Sequence, residues 1–160
     1  MSLLFGSVLG ACQPAGGPLA RMPADSAAGE VPFTGNAAMV VPVHINGVGP
    51  LNFALDTGAT LTCVDRAVAS RMELPETRGL PGITAGAAAV GEIRVVILDS
   101  LRVGGAGMIE LPACVVELAH ARQVGVEIDG LLGLNFLRAY RVGIDFDRRI
   151  LSLTNPSAVP

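Results

Sequence analysis

Leu51-Asn52-Phe53-Ala54-Leu55-Asp56-Thr57-Gly58-Ala59-Thr60 is the stretch from which the rest of the chain can be read. Phe53 and Leu55 alternate with Asn52 and Ala54, the period of a strand with one face turned inward. That strand runs straight into an acid, a hydroxyl, a glycine and a small residue. Gly58 lets the backbone turn where a side chain would obstruct it. Asp56 is therefore expected at the mouth of a loop, delivered by a buried strand. A carboxylate there is costly unless something satisfies or uses it. A plain structural role is also open to it, as a strand-end acid closing a turn with Thr57 and Gly58.

Upstream, residues 38–47 read as a strand ending in Asn46-Gly47, a strong two-residue hairpin signal. The first hairpin then delivers the Asp56 loop. His44 lies in this alternating strand as a surface histidine, and His120 has no Asp, Glu or Cys spacing of a metal site, so no metal and no cofactor are expected. Downstream, residues 61–64 continue as a short strand, and Asp65 can cap a helix over 66–72, with Val68 and Met72 on one apolar face. Leu74-Pro75 ends that helix.

Residues 78–98 form the next unit. Its first part is rich in Gly and Ala around Ala85, Gly86 and Ala87, and residues 93–98 are a firm strand. A hairpin with such a tip can fold over a cleft and move. Gly104-Gly105-Ala106-Gly107 is a turn. Residues 108–111 and 113–116 read as strands broken by Pro112, which predicts an edge or a bulge. Leu131-Leu132-Gly133 places two bulky apolar residues before a glycine, with a short helix from Asn135 to about Tyr140. Residues 142–146 and 150–153 alternate around Asp147-Arg148-Arg149, a hairpin.

Composition narrows the function. At 160 residues the chain is one domain. It is 51% hydrophobic with mean hydropathy +0.55, yet no run of 18 apolar residues exists, so a transmembrane helix is not expected. The net charge is −3. All basic residues are Arg and none cluster densely, and aromatics are scarce, so nucleic acid is not an expected partner.

Asp56-Thr57-Gly58-Ala59 after an apolar strand resembles the active-site loop of the aspartic proteases. With one such motif per chain, it resembles the retroviral-type, retropepsin-like branch, in bacterial form. The resemblance implies an all-β fold: a small closed barrel of about eight to ten short strands with one or two short helices, forming homodimers. It implies that Asp56 is the catalytic acid/base, that Thr57 bonds across the dimer axis, and that Gly58 brings a backbone N–H to the carboxylates while Ala59 keeps the floor small. Leu131, Leu132 and Gly133 fill the apolar-apolar-glycine pattern that packs beside the active-site loop and completes a ψ-shaped crossing. Ala85, Gly86 and Ala87 fall where the family carries its flap, without the aromatic that two-lobed members have there.

Residue counting points the same way. Metal-free peptide hydrolysis without a covalent nucleophile uses two carboxylates sharing one proton, because like charges about 3 Å apart cannot both ionise. Asp129 is followed by Gly130 and lacks the hydroxyl residue, so one chain offers one suitable acid. The mate would be Asp56 of a second copy. The expected function is an aspartic endopeptidase acting on protein or peptide substrates, with activity greatest below neutral pH. The rival is a non-catalytic peptide-binding or dimerisation module on the same barrel.

Residues 1–12 are short, apolar and end in Leu9-Gly10-Ala11-Cys12, which resembles a bacterial lipobox with Cys12 as the lipidated residue, although no basic residue precedes the run. Residues 1–32 are thus expected as an export signal or lipobox plus a disordered Pro/Gly/Ala/Ser tether, 33–154 as the protease domain and 155–160 as a frayed tail. The location implied is periplasmic or membrane-anchored, or cytoplasmic if the N-terminus is no signal. Cys63 and Cys114 are open to two readings, a disulfide permitted by export or two buried free thiols.

Overall fold

The computed structural model describes residues 20–23, 26, 29–77, 94–119 and 127–156. Ten strands and two short helices are present among them. The strands are β1 (Gly29–Pro32), β2 (Val40–Ile45), β3 (Val48–Leu55), β4 (Thr62–Asp65), β5 (Glu76–Thr77), β6 (Arg94–Val103), β7 (Ala106–Val116), β8 (Gly130–Leu132), β9 (Arg141–Asp145) and β10 (Ile150–Thr154). The helices are α1 (Arg66–Arg71) and α2 (Leu134–Leu137).

One sheet runs in the order β2-β3-β8-β4-β7-β6-β5 and closes where β2 pairs with β6, at His44↔Arg102 and Ile45↔Leu101. The closed barrel therefore has six strands, with β5 appended to β6. Closure removes the free edges that an open sheet would expose. Alternation in β2 turns Val41, Val43 and Ile45 inward, and Phe53 on β3 joins them; all are buried. Phe136 fills the other side of the core and stacks on Tyr140 at 5.3 Å between ring centres. The second sheet, β1-β10-β9, lies against the barrel with Val31, Leu151 and Leu153 buried beneath it.

Local signals explain several elements. Asn46 and Gly47 both take positive φ, 50° and 79°, as a primed hairpin turn requires. Asp65 caps α1 by accepting the Ala67 N–H at 3.0 Å. Its carboxylate, fully buried, also accepts the Leu118 N–H at 3.0 Å.

Three expectations change. β7 is continuous through Pro112, which pairs with Ile97, and β7 lies between β4 and β6 rather than at an edge. The proline is tolerated because β4 reaches only as far as Thr62↔Ala113, so no β4 partner for an N–H stands opposite Pro112. The helix expected from Asn135 to about Tyr140 is a single turn, Leu134–Leu137; the chain then bends so that the Tyr140 hydroxyl meets Gly107. Finally, structure begins ahead of Phe33. β1 pairs with β10 over Gly29↔Leu153 to Pro32↔Ile150, and Arg21 exchanges backbone bonds with Ile109 at 3.1 and 2.9 Å. Ser26 Oγ lies 2.7 Å from the Tyr140 hydroxyl. These segments carry little pattern of their own, and pairing with the barrel holds them.

β5 and β6 are antiparallel, at Glu76↔Val96 and Thr77↔Val95, and flank in sequence the segment expected to be a flap. Its tip, with Ala85, Gly86 and Ala87, and the proposed lipobox with Cys12 both fall outside the described residues.

Candidate active site

β3 delivers Asp56 at its C-terminal end, as the alternation of Phe53 and Leu55 requires. The Asp56 N–H donates to the Leu132 carbonyl at 3.0 Å. Its Oδ1 accepts the Gly58 N–H at 2.8 Å. A Cβ on Gly58 would stand 3.2 Å from that same oxygen, a tight approach that glycine avoids. Asp56 is half-buried, while Thr57 and Gly58 are exposed. The carboxylate is thus oriented from below and open on one side.

The support beneath it is the ψ-shaped crossing. β8 runs parallel to β3, with Ala54↔Leu131 and Leu55↔Leu132, and antiparallel to β4, with Cys63↔Leu131 and Val64↔Gly130. It therefore lies between the two arms of the strand–loop–strand unit that carries Asp56. Gly133 follows at the crossing point, where a Cβ would collide with the Leu61 carbonyl. The Leu134 and Asn135 N–H groups donate to the Ala59 and Thr60 carbonyls at 2.8 and 3.1 Å. Leu131, Leu132 and Gly133 are brought against the Asp56 loop, and Thr57, Gly58 and Ala59 make up that loop.

Two residues that the sequence reading passed over complete the support. Asn135 Oδ1 accepts both the Thr62 N–H, at 2.7 Å, and the Thr62 hydroxyl, at 2.9 Å. Its Nδ2 donates to the Pro112 carbonyl at 2.7 Å. Thr62 Oγ1 in turn accepts the Gly133 N–H at 3.2 Å. One amide thereby ties α2, β4 and β7 together under the loop. A polar residue two places after Gly133, at the start of a very short helix, was the available signal. Asp129 has a structural place: its carboxylate accepts the Asn52 N–H at 2.8 Å and clips β3 to the segment before β8.

Cys63 and Cys114 are register partners on the parallel strands β4 and β7 and form a disulfide, with Cα atoms 4.4 Å apart. The bridge falls one residue beyond Thr62, and so pins β4 where it leaves the active-site unit.

Beside Asp56, Leu55 lines a cleft of about 520 Å³ with Phe33, Met39 and Phe146. Arg149 stands at its rim, donating to Gly35 O at 3.4 Å and to Asn36 Oδ1 at 3.2 Å. The cleft is mostly apolar, and Leu55 brings it next to Asp56 in the chain.

A family model described as aspartyl protease matches residues 41–136. That span runs from β2 through the Asp56 loop to the Gly133 crossing. Among solved structures, a retropepsin-like aspartic protease from Rickettsia conorii is similar over 79% of this chain and 90% of that one, with a TM-score of 0.54 and 20% identity. The retroviral protease-like domain of Ddi1 from Leishmania major is similar over 73% of this chain and 92% of that one, with a TM-score of 0.45 and 17% identity. No curated protein matches. The first of these likenesses shows a shared retropepsin-like fold.

Proposed function

Because the chain belongs to the aspartyl protease family, we propose that it is a homodimeric endopeptidase in which Asp56 and its symmetry mate share one proton and activate a water. The family and the fold are those of a hydrolase. The observation that carries the finer reading is the setting of Asp56: one carboxylate per chain, held at the ψ-shaped crossing by its own loop, with an open side.

The steps follow from elementary proton accounting. Two carboxylates about 3 Å apart cannot both ionise, so one is a base and the other an acid. The ionised one takes a proton from water as the oxygen attacks the peptide carbonyl carbon. The protonated one donates to the carbonyl oxygen, giving a neutral tetrahedral diol. Collapse of the diol re-forms the carbonyl and breaks the C–N bond: one diol hydroxyl gives its proton to the now ionised carboxylate while the protonated carboxyl gives its proton to the leaving nitrogen, so the pair again holds one proton. The Gly58 N–H holds Asp56 Oδ1 in place through these exchanges. Thr57, exposed here, would bond to the other copy's loop and keep the two acids level. The flap around Ala85, Gly86 and Ala87 would cover the substrate.

We also infer export, with Cys12 as a lipid anchor and the domain facing the periplasm. The Leu9-Gly10-Ala11-Cys12 sequence and a disulfide of the kind that oxidising compartments permit support this. Cys12→Ala should move the protein from the membrane fraction to the soluble one; unchanged fractionation would refute the anchor.

The test of the chemistry is Asp56→Asn. Cleavage of a mixed peptide library should fall by about 10³-fold or more, with the thermal unfolding midpoint preserved. Mixing equal amounts of wild type and Asp56→Asn should leave about a quarter of the dimers with two acids, roughly halving the activity per wild-type chain. Normal turnover by the variant, or an undiminished mixture, would overturn the shared-proton mechanism.

A further inference from the structure

The cleft that reaches Leu55 is walled by segments that backbone bonds hold in place. The Phe33 N–H donates to the Arg149 carbonyl at 3.0 Å, and the Leu55 N–H donates to the Met39 carbonyl at 2.9 Å. Between them Thr34 and Val40 exchange bonds at 2.9 Å. Gly35, at φ 88°, turns the chain over residues 35–38, and a Cβ there would collide with the Ala38 carbonyl. The volume, about 520 Å³, is that of a ligand pocket. Phe33 is buried, whereas Phe146 meets it edge-on at 6.1 Å and is 67% exposed. A ring so open to water gains from any apolar group that covers it.

The charge at the rim is uncompensated. Arg148 and Arg149 are neighbours in the last hairpin turn, but their surroundings differ. The Arg148 guanidinium lies 3.9 Å from the Asp145 carboxylate and 3.5 Å from that of Glu30. Arg149 has no acid partner among the described residues. It donates to two neutral groups of the cleft wall, the Gly35 carbonyl and Asn36 Oδ1, at 3.4 and 3.2 Å. Its backbone stands at φ 54°, a left-handed conformation that glycine or asparagine takes at lower cost. A long cationic side chain is thus held over an apolar cleft at a position where the turn itself favours other residues.

We propose that this cleft is a specificity subsite for an acidic, apolar peptide. A bulky apolar side chain enters between Phe33, Met39, Leu55 and Phe146, and the carboxylate of the next peptide residue pairs with Arg149. Preferred substrates therefore carry an aromatic or long aliphatic residue beside an aspartate or glutamate. The proposal deepens the peptidase reading and rests on it for one point, that the occupant is a peptide. A peptide anchored against Leu55 lies one residue along the chain from the acid that would cut it. The guanidinium offers a carboxylate two parallel donors, which the neutral partners it now holds cannot use as fully. One arrangement thereby covers the exposed Phe146 ring and neutralises the charge at the rim.

Fluorescence anisotropy with the full chain carrying Asp56→Asn, which leaves the peptide intact, tests this. The probes are short labelled peptides of alanine, glycine and serine with one central phenylalanine, followed by aspartate, asparagine or lysine. The aspartate peptide should bind about ten-fold more tightly than the asparagine peptide, and added salt should narrow the gap. Adding Arg149→Glu should reverse the order in favour of lysine. Adding Arg149→Asn should erase the preference with the thermal unfolding midpoint unchanged, which separates recognition from support of the turn. Phe146→Ser, at an exposed position, should weaken the aspartate peptide about ten-fold. Absent binding, equal affinities for the probes, or an order that survives Arg149→Glu would overturn the subsite. So would Arg149 and Phe146 variants that change the oligomeric state in sedimentation velocity while peptide affinity stays the same, because the cleft would then seat another copy. The two readings fail separately. A chain that binds in the expected order, with a wild type that cuts nothing, loses the hydrolase and keeps the subsite. Asp56-dependent cleavage of a mixed library with no preference for such residue pairs loses the subsite alone.

Discussion

Replacing Asn135 by Ala tests whether the active-site loop is supported as described. The substitution deletes three hydrogen bonds: two to Thr62 and one to Pro112. It leaves the Thr62 hydroxyl with the Gly133 N–H as its remaining partner. Two backbone groups are stranded, the Thr62 N–H and the Pro112 carbonyl. A buried group left without a partner costs about 1–3 kcal/mol. Thr62 is wholly buried, so its N–H belongs near the top of that range, whereas half-buried Pro112 can regain water and belongs near the bottom. The sum is roughly 3–4 kcal/mol, a large share of the ~5–15 kcal/mol that a domain usually has. Urea unfolding followed by circular dichroism should show a lower midpoint at an unchanged slope. Asn135→Asp refines the test. It keeps the acceptor facing Thr62 but turns an oxygen toward the Pro112 carbonyl, so only its protonated form can donate there. The folded state then holds the proton more tightly than the unfolded state, and this variant should regain stability as pH falls and lose it as pH rises. A loss below about 1 kcal/mol for Asn135→Ala, or no pH dependence for Asn135→Asp beyond that of wild type, would refute the three-way tie.

Other substitutions probe separate parts of the same frame. Gly133→Ala drives a Cβ into the Leu61 carbonyl; because backbone must move, the soluble folded yield should drop and any residual cleavage should fall with it, and a variant as stable as wild type would contradict the close crossing. Removing the Cys63–Cys114 bridge by paired substitution to Ala frees a loop of 51 residues, for which the chain-entropy relation gives about 4 kcal/mol of lost stability; thermal unfolding of the two forms reads this directly. Tyr140→Phe should cost only about 1 kcal/mol, since Ser26 Oγ still accepts the Gly107 N–H at 2.9 Å. Adding Ser26→Ala should then cost more than the two single changes together, and simple additivity in denaturant melts would argue against a shared site.

The parts of the fold legible from sequence are those written in neighbouring residues. The alternation ending at Asp56 predicts β3 and its loop, Asn46-Gly47 the first turn, Asp65 the cap of α1, and residues 142–153 the last hairpin. Leu131-Leu132-Gly133 was legible only through family resemblance, because three common residues do not by themselves say which strands they separate. What stayed hidden depends on partners far along the chain. β1 has one buried side chain among four and exists because β10 lies beside it. Pro112 looks like a break until β4 is seen to stop at Ala113. The pairing of Cys63 with Cys114 needs the parallel register of β4 and β7. Asn135 could have been any helix-start amide; its three bonds come from strands 23 and 73 residues away.

The clip between Arg21 and Ile109 has a bearing on where such an enzyme could work. If Cys12 carries lipid, eight residues lie between the anchor and Arg21, the first described residue bonded to the barrel, and those nine Cα-to-Cα steps span at most about 30 Å. The catalytic domain would then graze the bilayer like an animal on a short leash, reaching membrane-proximal loops and newly exported chains while bulk proteins pass beyond its range.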